Sequence, residues 1–167
     1  MHNSVRRALA KFYFDYKGDL DTTAVADLGA LDINGSTKNI ISHAVGFDIV
    51  EGKGVDVLIV PGSIPDAHRN VYGAVVSISS FQCCPDPALY KRQIIDLLQE
   101  GGILFLAMCS NKCNFQHSTS DNKYGYKDEF RLEFRELERF FATDFNILEL
   151  AETNYEHPDF ILIAKLK

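Results

Sequence analysis

Asp27, Gly29 and Asp48 stand in the order and spacing that a nucleotide-type cofactor site requires. Val25-Ala26-Asp27-Leu28-Gly29 reads as a strand running into a glycine turn, where backbone can approach a ligand because no Cβ intervenes. Asp48 closes the next apolar run, 19 residues after Gly29. In open α/β sheets an acid at about 20 residues' separation accepts hydrogen bonds from the hydroxyls of a ribose. The ligand crevice of such a sheet lies outside the carboxyl ends of its strands, where Ser77 to Gln82 also emerge. Taken singly, Asp27 is a strand-end turn former and Asp32-Ile33-Asn34-Gly35 a turn sequence. Their order with Asp48 favours a cofactor site.

Other reactive side chains are weaker signals. Cys83, Cys84, Cys109 and Cys113 fall near the ends of two apolar runs, and Cys109-x3-Cys113-x3-His117 has ligand types at spacings that zinc tolerates. The second tight pair of a structural zinc site is missing, and a buried cysteine usually serves as a small hydrophobe, so no metal is expected. His68 and His117 are loop histidines and the nearest candidates for a base. An exposed loop imidazole is the commoner state, and neither is assigned as catalytic.

The elements that must position these residues alternate between short apolar runs and helical patterns, the signature of a parallel sheet. Strands are expected at Ala24 to Leu28, Ala44 to Val50, Val55 to Val60, Ala74 to Phe81 and Ile103 to Met108. Two more lie near Phe145 to Ala151 and Phe160 to Leu166. A short helix should begin at about Ser36. Asp86-Pro87 caps another helix, with Tyr90, Ile94, Leu97 and Leu98 on its apolar face and Gly101-Gly102 as its end. Phe130, Phe134, Leu137 and Phe141 predict a helix over Glu129 to Phe141. Asn111 to Lys127 is polar and reads as a long loop, and Lys123 to Lys127 within it is either a floppy loop or a substrate lid.

At the start, Ser4 is expected to cap a helix that buries Val5, Leu9, Phe12 and Tyr13. Lys11 and Asp15 interrupt any secretory core. The basic, amphipathic start also fits a mitochondrial presequence, but a helical extension over residues 1–20 of one domain, 1–167, is the preferred reading. With no signal peptide expected, the cysteines suggest a reduced, cytoplasmic setting. The 167 residues are 46% hydrophobic and 24% charged, with a formal net charge of −6. That is an ordinary globular composition with no apolar run long enough to span a bilayer, and its acidity weighs against nucleic acid as a partner.

Asp27-Leu28-Gly29, the run Gly29 to Ser36 and Gly46-Phe47-Asp48-Ile49-Val50 resemble the cofactor half of class I S-adenosylmethionine-dependent methyltransferases. Tyr72 to Met108 is similar to that family's fourth and fifth strands, with Gln99-Glu100-Gly101-Gly102 where Pro-Gly-Gly is usual. The likeness covers residues 22–167. It implies a Rossmann-like seven-stranded α/β sheet ordered 3-2-1-4-5-7-6, with strand seven antiparallel and helices on both faces. It implies S-adenosylmethionine as cofactor, with its methionine part over Gly29 and Ala30, its ribose on Asp48, and Asp27 and Gly35 among the cofactor-binding residues. Ile49 would lie against the adenine, and backbone at Ser77 and Ile78 would face the methionine amino group. This sequence departs from the family in four places. Asp27 to Gly35 spans eight residues rather than six, and Val60-Pro61-Gly62 lacks the acid that often holds the adenine amino group. Gly73 replaces a common aspartate, and Gln82-Cys83-Cys84 an acid-histidine pair.

The leading expectation is methyl transfer to a small-molecule acceptor, since nearly all of the chain is used by the cofactor-binding core. A non-catalytic binding or scaffold protein on the same fold is the alternative. A nicotinamide-dependent oxidoreductase is disfavoured because Gly29 to Gly35 lacks Gly-x-Gly-x-x-Gly spacing. Sequence alone names neither the acceptor nor an oligomeric state.

Overall fold

The chain, seen in a computed structural model that describes residues 1–33, 35–114, 127–155 and 157–167, opens with two helices. These are α1 (Asn3–Asp15) and the short α2 (Lys17–Leu20). Four strands follow: β1 (Val25–Leu28), β2 (Val45–Asp48), β3 (Val57–Leu58) and β4 (Tyr72–Ile78). Helix α3 (Pro87–Leu97) leads into β5 (Leu98–Cys109), and α4 (Phe134–Ala142) into the hairpin of β6 (Phe145–Glu152) and β7 (Asp159–Leu166). The strands form one seven-stranded sheet in the order β3-β2-β1-β4-β5-β7-β6. Strand β7 runs antiparallel to both β5 and β6, and the remaining pairings are parallel.

Period-two alternation sorts the side chains of the central strands into two cores. Ala74 and Val76 of β4, Phe105 and Ala107 of β5, and Ile161 and Ile163 of β7 face one layer, which α1 closes with Val5, Leu9 and Phe12. Val75, Leu104, Leu106, Met108, Phe160 and Leu162 face the other, covered by Tyr90, Ile94 and Leu97 of α3 and Leu137 and Phe141 of α4. Continuous burial on both faces explains why these strands are nearly unbroken apolar runs.

Several boundaries differ from the sequence expectations for local reasons. Ser4 does not cap α1: His2 occupies the cap position, and the buried Ser4 hydroxyl donates to Asp159 Oδ2 at 3.2 Å. The short helix expected from about Ser36 is a single 3-10 turn, Thr37–Asn39, with the Ser36 side chain accepting from Lys38 N–H. Helix α3 stops at Leu97 rather than at Gly101-Gly102, because Leu98 already pairs with Tyr72 in the sheet. Helix α4 starts at Phe134, five residues later than the apolar spacing predicts. The preceding stretch is held out of the helix by long-range bonds, Glu129 N–H to Gln82 O at 2.9 Å and Arg131 to Ser110 O at 3.0 Å. Phe130 therefore packs edge-on against Phe81 from outside the helix, ring centroids 5.1 Å apart.

Gly73, the departure just inside β4, has a packing cause. A Cβ there would lie 2.0 Å from Thr23 Oγ1, so the strand has no room for an aspartate side chain. Among the described residues, no helix is long and apolar enough to cross a membrane.

Candidate cofactor cavity

A cavity of about 480 Å3 opens at the carboxyl ends of β1, β2 and β4. Asp27, Gly29, Ala30, Gly35, Asp48, Ile49 and Ile78 all line it. The sequence-predicted residue that does not is Ser77. Its side chain is fully buried on the α3 face, 2.8 Å from the Tyr90 hydroxyl, and the cavity wall is formed instead by Ile78, Ser79 and Ser80. The phenol of Tyr90 donates to Leu28 O at 2.9 Å, so α3 is bonded directly to the last residue of β1.

Two carboxylates give the cavity its electrostatics. Asp27 is 3% exposed and Asp48 6%. Burial pushes the Asp27 carboxyl up to about 7. A hydrogen bond from the buried Thr37 hydroxyl and the charge of Lys38 oppose that rise, while Asp48 and Asp56 add to it. Asp48 is held by backbone: Oδ2 accepts from Leu31 N–H at 3.0 Å and Oδ1 from Val50 N–H at 3.1 Å.

The loop between β1 and β2 is set by close backbone packing. Gly29 has φ +86°, and a Cβ on it would lie 1.9 Å from Ser80 Oγ. The space that glycine leaves is thus taken by Ser80, whose hydroxyl donates to Gly29 O at 3.2 Å, rather than by a ligand. Farther along, Asp32 Oδ1 accepts from Gly35 N–H at 2.8 Å, and Lys53 Nζ sits 2.7 Å from Asp32 Oδ2. Asn34, between them in sequence, lies outside the described residues.

The cysteines divide. Cys83 lines the cavity, with its thiol toward Ser79 O and Asp128 Oδ1 at 3.7 and 3.8 Å; burial pushes it up to about 12. Cys84 lines the cavity as well, with its thiol toward Asp86 O at 3.2 Å, while Cys109 and Cys113 are buried and outside it. No group of three metal-ligating side chains occurs among the described residues. His68 does not line the cavity. Its Nδ1 lies 2.8 Å from the Tyr72 hydroxyl and its ring packs edge-on against Phe47. His117, a candidate base left unassigned, and Lys123 to Tyr126, most of the candidate lid, lie outside the described residues.

Sequence reading missed His2, Tyr90 and Gln93, which also line the cavity. His2 carries no motif. Its Nδ1 is 3.0 Å from Oδ2 of Asp159, a carboxylate fully buried at the start of β7. Tyr90 was read only as apolar helix surface. Gln93 left a detectable signal, since it falls three residues after Tyr90 and so inside the buried stripe of α3.

No protein-family description matches the sequence, and no curated protein matches it. Solved structures do match in three dimensions. The 1,6-didemethyltoxoflavin-N1-methyltransferase of Burkholderia thailandensis, solved with bound 1,6-didemethyltoxoflavin and S-adenosylhomocysteine, superposes with TM-score 0.70 at 14% identity. That match covers 99% of this chain and 79% of the other. A SAM-dependent methyltransferase from Anabaena variabilis gives 0.67 at 16% identity, covering 98% and 86%. One from Methanosarcina mazei gives 0.63 at 14%, covering 86% and 92%. Strand order, the antiparallel β7 and these superpositions together establish that the chain has the Rossmann-like fold of class I SAM-dependent methyltransferases.

Proposed function

We propose that this protein, as one domain of residues 1–167, transfers a methyl group from S-adenosylmethionine to a small-molecule acceptor. The observation that carries the reading is the pair of buried carboxylates, Asp27 and Asp48, at the carboxyl ends of adjacent strands in a cavity of about 480 Å3. That volume is in the range of small-molecule and cofactor sites, and buried carboxylates suit a ligand that is cationic and carries a ribose. In this reading Asp27, Gly29, Ala30 and Gly35 hold the methionine part, Asp48 the ribose hydroxyls, and Ile49 one face of the adenine. Ile78, with Ser79 and Ser80 in place of Ser77, faces the amino group.

When bound, the cofactor supplies a methyl group already activated by its sulfonium sulfur. The chain's contribution is to orient, to exclude water and to place the acceptor in line. A bound heterocycle in the Burkholderia enzyme supports an acceptor of that size. If the acceptor needs to lose a proton, His2, held by Asp159, is the imidazole among the described cavity-lining residues.

Titration calorimetry with S-adenosylmethionine and S-adenosylhomocysteine tests the proposal. Saturable binding is expected, weakened on Asp48→Ala substitution; no heat from either ligand at millimolar concentration overturns it. A non-catalytic cofactor-binding protein is the second reading, favoured by Gln82-Cys83-Cys84 and by the absence of an acid in Val60-Pro61-Gly62. Methyl transfer to any acceptor in a substrate screen would remove that alternative.

A further inference from the structure

Beyond Asp48, the cavity wall is apolar, formed by Ile49, Ile59 and Pro61. One polar side chain enters this end from the opposite side: Gln93 of α3, which is 3% exposed. Its Nε2 donates to Val60 O at 3.4 Å, and the carbonyl cannot make that contact in its place because two acceptors would then face each other. The orientation of the amide is therefore fixed by the strand-end backbone. Oε1 accepts no hydrogen bond from any described residue. A buried amide with one N–H engaged and its acceptor open, set among aliphatic side chains, matches a flat, largely apolar ring that carries an N–H donor on its edge.

We propose that Gln93 reads the amino edge of adenine: Oε1 accepts from the exocyclic amino group, and the Val60 carbonyl holds the amide in position. This rests on the S-adenosylmethionine reading above. It also gives the loop after β3 a different part. Val60-Pro61-Gly62 supplies no acid, but its Val60 carbonyl orients the residue that takes over recognition from the neighbouring helix. A glutamine in this role adds no third charge to a cavity that already buries two carboxylates.

The test compares two ligands, S-adenosylhomocysteine and its analogue with unsubstituted purine in place of adenine, which lacks the 6-amino group. Calorimetry is run on the wild type and on Gln93→Leu, with circular dichroism to verify folding. The wild type should bind the adenine ligand about tenfold more tightly, the loss expected when a buried acceptor is left unpaired. Gln93→Leu should weaken the adenine ligand by a similar factor and bring the two affinities within about twofold of each other, a double-mutant-type comparison. Equal affinity of the wild type for both ligands overturns the assignment while leaving the cofactor reading intact. So does a folded Gln93→Leu that keeps the full preference. Binding of neither ligand to the wild type overturns both. Should Gln93→Leu fail to fold, the wild-type comparison decides alone.

Discussion

Asp27 links the site to pH. Its carboxyl, raised by burial to about 7 from an ordinary 3.8, binds its proton more tightly in the folded chain than in the unfolded one. Its contribution to stability is therefore full below about pH 4 and is lost as the pH rises toward 7. Asp32, Asp144 and Glu152 are held below the usual carboxylate range by hydrogen bonds from Lys53, Lys91 and Lys112, and their effects fall at lower pH. The Met1 amine, lowered by burial, acts in the opposite sense as the pH rises from 5 to 8, so the contribution of Asp27 is the difference in slope between the wild type and Asp27→Asn. Urea unfolding of the ligand-free protein should show stability falling across that window, and Asp27→Asn should flatten the slope. An unchanged slope in the variant would place the proton elsewhere. At this scale the sequence was legible where residue type and spacing sufficed, as for Asp27 and Asp48. It says nothing of side-chain direction at Ser77, whose hydroxyl strand parity puts on the same face as Val75, beside Tyr90.

Elements meet the cavity through a few polar contacts, and the most consequential ties α3 to β1. The hydroxyl of the buried Tyr90 satisfies both Leu28 O and Ser77 Oγ. Tyr90→Phe keeps the ring and strands both partners. A loss of about 1–3 kcal/mol in unfolding free energy is expected, measured by denaturant titration. A loss below about 0.5 kcal/mol would show that the carbonyl finds another donor. Helix positions were readable from apolar period and caps: Asp86 accepts from Ala88 and Leu89 N–H at 2.9 and 3.1 Å, as its place before Pro87 predicts. Boundaries set by distant partners were not. Glu129 and Arg131 are drawn out of helical geometry by Gln82 and Ser110, and no local pattern encodes those bonds. Gln93 was overlooked for a related reason, since its significance depends on a carbonyl 33 residues away in sequence.

At the scale of the whole molecule, the alternation of strands and helices was legible in the apolar runs, whereas the order of the strands in the sheet came from the family resemblance. The part played by α1 was less legible. Expected as an extension, it closes one face of the sheet: Phe12 is buried against Phe105, ring centroids 5.2 Å apart, in the same cluster as Val25 and Ile161. Phe12→Ala should cost about 3–5 kcal/mol and lower the Tm by on the order of 10 °C, in a single transition followed by calorimetry. A separate early transition, with the sheet melting at its original temperature, would make residues 1–20 an accessory after all.

The placement of α1 also bears on how the protein should be handled. Because α1 is anchored in the core, the residues ahead of it cannot drift away, and Met1 and His2 line the cavity. Any purification handle fused ahead of Met1 would emerge at the cavity mouth and compete with ligands for it. Strand β7 runs antiparallel to β5, starting at Asp159, which bonds His2, and ending at the opposite end of the strands. A handle placed after Lys167 would therefore leave the mouth clear, and binding assays on this protein should use that arrangement.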